Sequence, residues 1–155
     1  MRVLSKIKLV FLMFSLACGL SGMSGSAMAL TTEQASICKP YGASNAAGLY
    51  SYTSGAWNYS GGSLSVACPV VRTVGAPTSG YSVWVDGTAA AGTATCSLYS
   101  YNYDNTYMGS ISFSTTGKFS RLLTLPATQV SYYSSQMVYC YLPVNGAVFD
   151  VEPVQ

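Results

Sequence analysis

Few side chains in this chain of 155 residues could do acid–base chemistry, because it contains no histidine. Asp150 and Glu152 stand two positions apart. On one face of a strand they would lie about 7 Å apart, near the separation of a glycosidase pair. A charged last strand that discourages edge pairing explains the same pattern better. We therefore expect no catalytic residues and no enzyme.

Residues that could bind a metal are equally few. Asn102, Asp104 and Thr106 alternate as at the start of a calcium loop, but the fixed glycine and the later glutamate of an EF-hand are missing. A polar turn explains them better. The Asp86-Gly87 pair is likewise more typical of a turn than of a metal site. We expect no metal and no cofactor.

The tyrosines are the more unusual feature, with thirteen in the chain. Rings held on a rigid sheet can stack on sugars while nearby Ser, Thr and Asn bond the hydroxyls. Alternation puts the five tyrosine candidates on the outer faces of two strands that could be neighbours, and Trp84 on the outer face of a third strand. The candidate binding residues are Tyr99, Tyr101, Tyr103, Tyr139, Tyr141 and Trp84. Alternatively, tyrosine simply suits strands and cross-strand pairs.

Cysteines indicate how such strands are held. Cys38, Cys68, Cys96 and Cys140 lack any C-x-x-C spacing, so two disulfides in an exported chain are favoured over zinc. Of the three pairings that four cysteines allow, we favour Cys38–Cys68 and Cys96–Cys140, which join sequence neighbours. Cys96 and Cys140 each point inward from an alternating strand, and we expect their bond to cross the core between two sheets.

The N-terminus has the pattern of a secretory signal. Arg2, Lys6 and Lys8 precede an apolar run over residues 9–17, and a small-residue tail ends in AMA at 27–29. We predict a signal peptide over residues 1–29 and one secreted domain over 30–155, either extracellular or periplasmic. The alternative is a lipoprotein anchored at Cys18, although Ser15 stands where that signal favours an aliphatic residue.

Charge excludes two classes of partner. Three of the seven basic residues fall in the predicted leader, which leaves four against all five acids. The mature chain therefore has no basic patch for nucleic acid or an anionic membrane. It also has no apolar run of the roughly 20 residues that a membrane helix needs, so we expect no membrane insertion.

Period-two alternation dominates the mature chain. We predict seven or eight short strands in a single antiparallel β-sandwich or jelly roll, with Trp84 pointing outward and Pro69 at a sheet edge or bulge. Residues 42–62 resemble a long loop with one short strand near 56–59. Asn145-Gly146 is a typical two-residue hairpin turn. The predicted strands cover residues 64–72, 81–87, 94–99, 110–114, 118–125, 138–143 and 147–152.

Three cysteine segments carry a resemblance to a known group. Residues 66–72 (VACPVVR), 95–98 (TCSL) and 139–143 (YCYLP) resemble segments of small secreted bacterial proteins that have a Cys-Pro-Val/Ile-Val-Arg segment and a late Cys-x-Leu-Pro segment. The resemblance covers most of residues 38–152. It implies export and a disulfide-bonded β fold, but no catalytic residue, because the group has no assigned activity.

Together these features predict a secreted, non-catalytic β-sandwich that binds a carbohydrate or another cell-surface polymer through its aromatic face. The first alternative is a structural subunit that packs this face against copies of itself or a surface protein. The second is a glycosidase-like enzyme that uses Asp150 and Glu152.

Overall fold

The computed structural model describes residues 33–42, 47–70 and 80–154. The predicted signal peptide, Cys18 and Arg72 lie outside these ranges. Within them, no helix is long and apolar enough to cross a membrane. The helical content includes two short 3-10 turns, at Ala35–Ile37 and Ala127–Gln129, and residues 47–48 are also in a 3-10 turn.

Eleven strands, numbered in chain order, form two antiparallel sheets across these ranges, which confirms the predicted β-sandwich but exceeds the predicted seven or eight strands. Sheet A contains, from edge to edge, β3 (Leu49–Tyr52), β4 (Gly55–Asn58), β11 (Ala147–Val154), β6 (Tyr81–Thr88) and β9 (Lys118–Leu125), with β1 (Glu33–Gln34) also paired to β11. Sheet B contains β2 (Lys39–Pro40), β5 (Leu64–Val70), β10 (Ser135–Leu142), β7 (Ala94–Tyr101) and β8 (Tyr107–Thr115).

The core lies between the two sheets and follows the alternation in the sequence. In β6, Tyr81, Val83 and Val85 are buried, whereas Trp84 between them is 38% exposed, as predicted. Each fully buried valine or leucine contributes about 1.5–3 kcal/mol relative to an exposed one. Every second residue of a strand therefore holds the sheets together, and the residues between them form the two outer faces.

Both disulfide bonds lie within sheet B. Cys96 is directly opposite Cys140 in the β7–β10 register, and Cys38, just before β2, is bonded to Cys68 of β5. The Cα atoms of each pair are 4.1 Å apart. These are the expected pairs, but the expected bridge across the core is wrong. Cys96 and Cys140 are register partners on adjacent strands, where two inward-facing cysteines are within bonding distance, so their bond closes inside one sheet.

Residues 47–62 are more ordered than the predicted loop. They contain the β3–β4 hairpin instead of one strand near 56–59. Gly55 has φ +126°, and a Cβ there would meet the Val148 carbonyl and the Phe149 Cα. Only glycine allows the hairpin to lie this close to β11. The strand that the sequence did not predict is β3.

The turn at Asn145-Gly146 is not a hairpin, because β10 belongs to sheet B and β11 to sheet A. The Gly146 N–H donates to the Pro143 carbonyl, and Asn145 has φ +59°. Buried Asn58 of β4 accounts for the change of sheet, since its amide donates to the Leu142 and Pro143 carbonyls at 3.1 and 2.9 Å. These hydrogen bonds satisfy two backbone carbonyl groups at the point where the chain leaves sheet B.

Two further expectations are corrected by the strand order. The strand that holds Asp150 and Glu152 is central, flanked by β6 on one side and by β4 and β1 on the other, so its acids do not protect an edge. Asp86-Gly87 lies inside β6 and is not a turn. A Cβ at Gly87 would clash with the Phe119 ring, which explains a glycine within a strand.

The position of Pro69 agrees locally with the prediction of a sheet edge. The paired residues of β2 reach only Val66 and Ala67 of β5, so on that side Pro69 lies past the end of the neighbouring strand. A residue without an N–H is tolerated there because no ladder hydrogen bond is required.

Candidate functional site

The outer face of sheet B carries a shallow aromatic cleft of about 290 Å³. This volume is near the lower end of the range of about 300–1,000 Å³ for ligand clefts. We call the cleft and the tyrosine that borders it the tyrosine face. It consists of Tyr41, Tyr99, Tyr101, Met137 and Tyr139, which line the cleft, and Tyr107 beside them.

Strand register explains why these rings meet. Tyr99 of β7 is directly opposite Met137 of β10, and Tyr139 follows two residues later on the same face. The ring centroids of Tyr99 and Tyr139 are 6.5 Å apart, and those of Tyr41 and Tyr139 are 5.1 Å apart, both edge to face. Such pairs stabilise one another by about 0.5–1.5 kcal/mol beyond burial, which holds the rings in fixed orientations.

Hydroxyl groups surround the rings. The Tyr139 hydroxyl donates to Ser65 Oγ at 2.6 Å, and the Tyr107 and Ser110 hydroxyls are hydrogen-bonded at 2.7 Å. Two cross-strand hydroxyl pairs continue the face along β7 and β8. They are Ser97–Ser112 at 2.7 Å and Thr95–Ser114 at 2.8 Å. The face therefore offers flat apolar rings next to a row of hydroxyls that can donate or accept.

The structure brings together only part of the predicted site. Tyr99, Tyr101 and Tyr139 lie in the cleft. Tyr141 shares their face and is 46% exposed, but it lies beside Ser65 and Thr95, one step beyond Tyr139.

Tyr103 and Trp84 lie elsewhere. Trp84 is on sheet A, on the opposite outer face of the sandwich. Tyr103 has left the strand at the β7–β8 tip, where its ring meets Tyr133 at 6.0 Å and is 78% exposed. Alternation cannot be extended through a turn, which is why its predicted position is wrong.

Tyr41, Tyr107 and Met137 were missed as members of the site. A register signal for Tyr41 was present: once Cys38 is aligned with Cys68, antiparallel counting puts Tyr41 opposite Ser65. Its N–H does donate to the Ser65 carbonyl at 2.8 Å. Tyr107 was harder to place, because a register shift after Ser100 sets it opposite Tyr101.

A second aromatic group, the tryptophan cluster, lies on the outer face of sheet A. Trp57 and Tyr59 stack with centroids 5.8 Å apart and planes 5° apart, and Phe149 meets Trp57 at 5.5 Å. The three tyrosines of the cluster are each about half exposed. The full cluster is Tyr50, Tyr52, Trp57, Tyr59 and Phe149. The sequence did not reveal it because the β3–β4 hairpin was not recognised.

Three carboxylates share that outer face. Asp86 lies directly opposite Asp150, and Glu152 lies opposite Trp84. Burial raises the pKa of Asp150, with Glu152 and Asp86 raising it further, while a hydrogen bond from the Val151 N–H at 2.8 Å opposes the shift. We call Asp86, Asp150 and Glu152 the carboxylate group.

In the predicted polar turn at the β7–β8 tip, the pKa of an aspartate shifts in the opposite direction to that of Asp150. Asp104 accepts a hydrogen bond from the Thr106 N–H at 3.0 Å, and hydrogen bonds from Thr106 lower the pKa of Asp104. The turn is closed by the Asn105 N–H, which donates to the Asn102 carbonyl. In the part of the chain that the structure describes, no three His, Cys, Asp or Glu side chains are grouped to hold a metal ion.

Comparison with known proteins gives one distant structural likeness. No protein-family model matches the chain, and no curated protein matches it. A matching solved structure is that of TmCBM61 in complex with beta-1,4-galactotriose at 1.4 Å resolution. It is 16% identical to this chain, covers 80% of this chain and 86% of its own, and superposes with a TM-score of 0.44.

Proposed function

We propose that this protein is an exported, non-catalytic carbohydrate-binding domain and that the tyrosine face is its binding site. The observation that carries the proposal is the cleft lined by Tyr41, Tyr99, Tyr101, Met137 and Tyr139. Fixed rings can stack on the C–H faces of sugars, and the adjacent hydroxyls can bond the sugar hydroxyls. The two disulfides agree with an oxidising compartment.

The electrostatics of the face favour an uncharged glycan. Strand parity places Lys39 at the β2 edge of the tyrosine face. The described side chains on the outer face of sheet B include no carboxylate. Recognition then rests on shape, stacking and hydroxyl bonding, and it should depend weakly on salt.

Affinity electrophoresis against neutral polysaccharides, such as galactan, xylan, mannan and mixed-linkage glucan, tests the proposal. We expect retardation by at least one of them, and about a tenfold loss of affinity in Tyr99→Ala, which corresponds to the 1–2 kcal/mol of one stacked ring. Tyr132→Ala is the matched control, since this tyrosine is exposed but lies outside the cleft.

The competing role as a structural subunit gives a different result. If the tyrosine face packs against another copy, sedimentation will show concentration-dependent association without sugar, and Tyr99→Ala will abolish it. A monomer that no neutral polysaccharide retards would overturn the carbohydrate proposal.

A further inference from the structure

The tryptophan cluster and the carboxylate group lie on one continuous surface. Trp57 is opposite Ala147, Ala147 is opposite Thr88, and Asp86 lies two residues from Thr88 on the same face of β6. With about 4.8 Å between strands and 3.3 Å per residue, the backbones of Trp57 and Asp86 are roughly 12 Å apart. Phe149 of the tryptophan cluster, whose ring centroid is 5.5 Å from that of Trp57, directly precedes Asp150 in β11. A short oligomer can therefore contact both.

The charge on this surface is not balanced locally. The charged side chains that affect the Asp150 carboxyl, Glu152 and Asp86, are both acids, and both raise its pKa. Lys118 shares the outer face, but it lies opposite Thr88 on edge strand β9, away from Asp150. Three carboxylates and one lysine leave this face negative, which is complementary to a cationic ligand.

Aromatic rings next to the carboxylates strengthen the preference for a cation. The face of an indole or phenol ring attracts an ammonium group by about 0.5–2 kcal/mol. Tyr50, Tyr52 and Tyr59 are each about half exposed around Trp57, so they also provide the flat apolar area on which a sugar ring can stack.

We propose that the outer face of sheet A binds oligosaccharides of amino sugars whose amines are free and protonated. Sugar rings stack on the tryptophan cluster, and the ammonium groups pair with the carboxylate group. This site does not depend on the proposed function of the tyrosine face, because it lies on the opposite side of the sandwich and uses different residues.

Intrinsic tryptophan fluorescence reports on binding at the outer face of sheet A and not at the tyrosine face. The two tryptophans of the chain, Trp57 and Trp84, both lie on the outer face of sheet A. The full chain is titrated with the hexamer of glucosamine and with the hexamer of N-acetylglucosamine. We expect a saturable change in emission with the glucosamine hexamer, at an affinity about tenfold higher than for the acetylated one. Equal affinities, or no change in emission, would overturn the proposal.

Variants separate stacking from charge. Asp86→Asn and Trp57→Ala should each weaken binding of the glucosamine hexamer about threefold to tenfold, with Trp84 reporting in the second variant. Glu152→Gln replaces Asp86→Asn if the latter does not fold, as judged by near-ultraviolet circular dichroism. Asp104→Asn and Tyr132→Ala are controls outside this face and should bind as the parent does.

Two outcomes would show that the ligand class is wrong. If hexalysine binds as tightly as the glucosamine hexamer, charge alone determines binding and a basic peptide is the better ligand. If 0.5 M NaCl leaves the affinity for the glucosamine hexamer unchanged, the carboxylates do not take part, since screening must weaken exposed ion pairs.

Discussion

The two outer faces of the sandwich are built from the same residue types but differ in charge and in support. The tyrosine face of sheet B has no described carboxylate, and both disulfides lie directly beneath it. The face of sheet A combines the tryptophan cluster with three carboxylates, and its described strands contain no cysteine. Aromatic content alone therefore does not define a ligand class; the polar groups beside the rings do.

The largest expected effect concerns the support of sheet B. Replacing both Cys96 and Cys140 by alanine removes a bond that closes a separation of 44 residues, and this should lower the free energy of unfolding by about 4 kcal/mol. Urea denaturation measures it. The matched pair Cys38→Ala with Cys68→Ala, with a separation of 30 residues, should cost slightly less. An unchanged free energy in either pair would contradict this account.

The next effect concerns the link between the sheets. Asn58→Ala leaves the Leu142 and Pro143 carbonyls without the amide donor, and we expect a loss of about 2–4 kcal/mol of stability. Asn145→Gly is the control, since glycine accepts the positive φ of that position and should change stability by less than about 0.5 kcal/mol. A loss for Asn58→Ala as small as that of the control would show that the buried amide is not the anchor.

A smaller effect separates the two faces as binding sites. Tyr99→Ala should weaken binding of a neutral polysaccharide about tenfold and leave the glucosamine hexamer within twofold, while Trp57→Ala should do the reverse. Isothermal titration of both variants with both ligands measures this. If each variant weakened both ligands equally, the faces would not be independent.

The smallest effect follows from the opposite pKa shifts of two aspartates. The raised pKa of Asp150 means that its contribution to stability is present below the unfolded pKa and is lost as pH rises through the folded pKa. Asp150→Asn should therefore raise the melting temperature at pH 7 by about 1–2 °C and have no effect near pH 3.

Asp104→Asn should act in the opposite direction. The pKa of Asp104 is lowered by Thr106, so the ionised form is favoured in the fold and its contribution is lost as pH falls through the folded pKa. The variant should melt lower than the parent at pH 7, and the difference should disappear in acid. Thermal scans at the two pH values check both signs.

Alternation predicted the layers well but not their connections. The inward residues of β5, β6 and β9 could be identified because each strand has one buried face. The β3–β4 hairpin and the change of sheet after Pro143 could not, because both depend on tertiary contacts: Gly55 against β11, and Asn58 against the turn. Neither contact leaves a periodic pattern in sequence.

The candidate site could be predicted only as far as the register between neighbouring strands could be predicted. Cys96 and Cys140 are directly opposite, so their bond alone aligns Tyr99 with Met137 and places Tyr139 next to Ser97. A bond inside one sheet fixes this register, whereas a bridge between the two layers would not. Tyr103 does not share the face of Tyr99 and Tyr101 because it lies in a turn, and Trp84 points outward as predicted but from the other sheet. The resemblance to small secreted bacterial proteins stays a prediction.

The most direct test of the central claim is to map amide chemical shifts by NMR while a neutral polysaccharide that retards the protein is added. The account predicts perturbations at Tyr41, in β5, β7 and β10, and none in β4, β6 or β11. Perturbations centred on the tryptophan cluster, or none at saturating ligand, would contradict the assignment of carbohydrate binding to the tyrosine face.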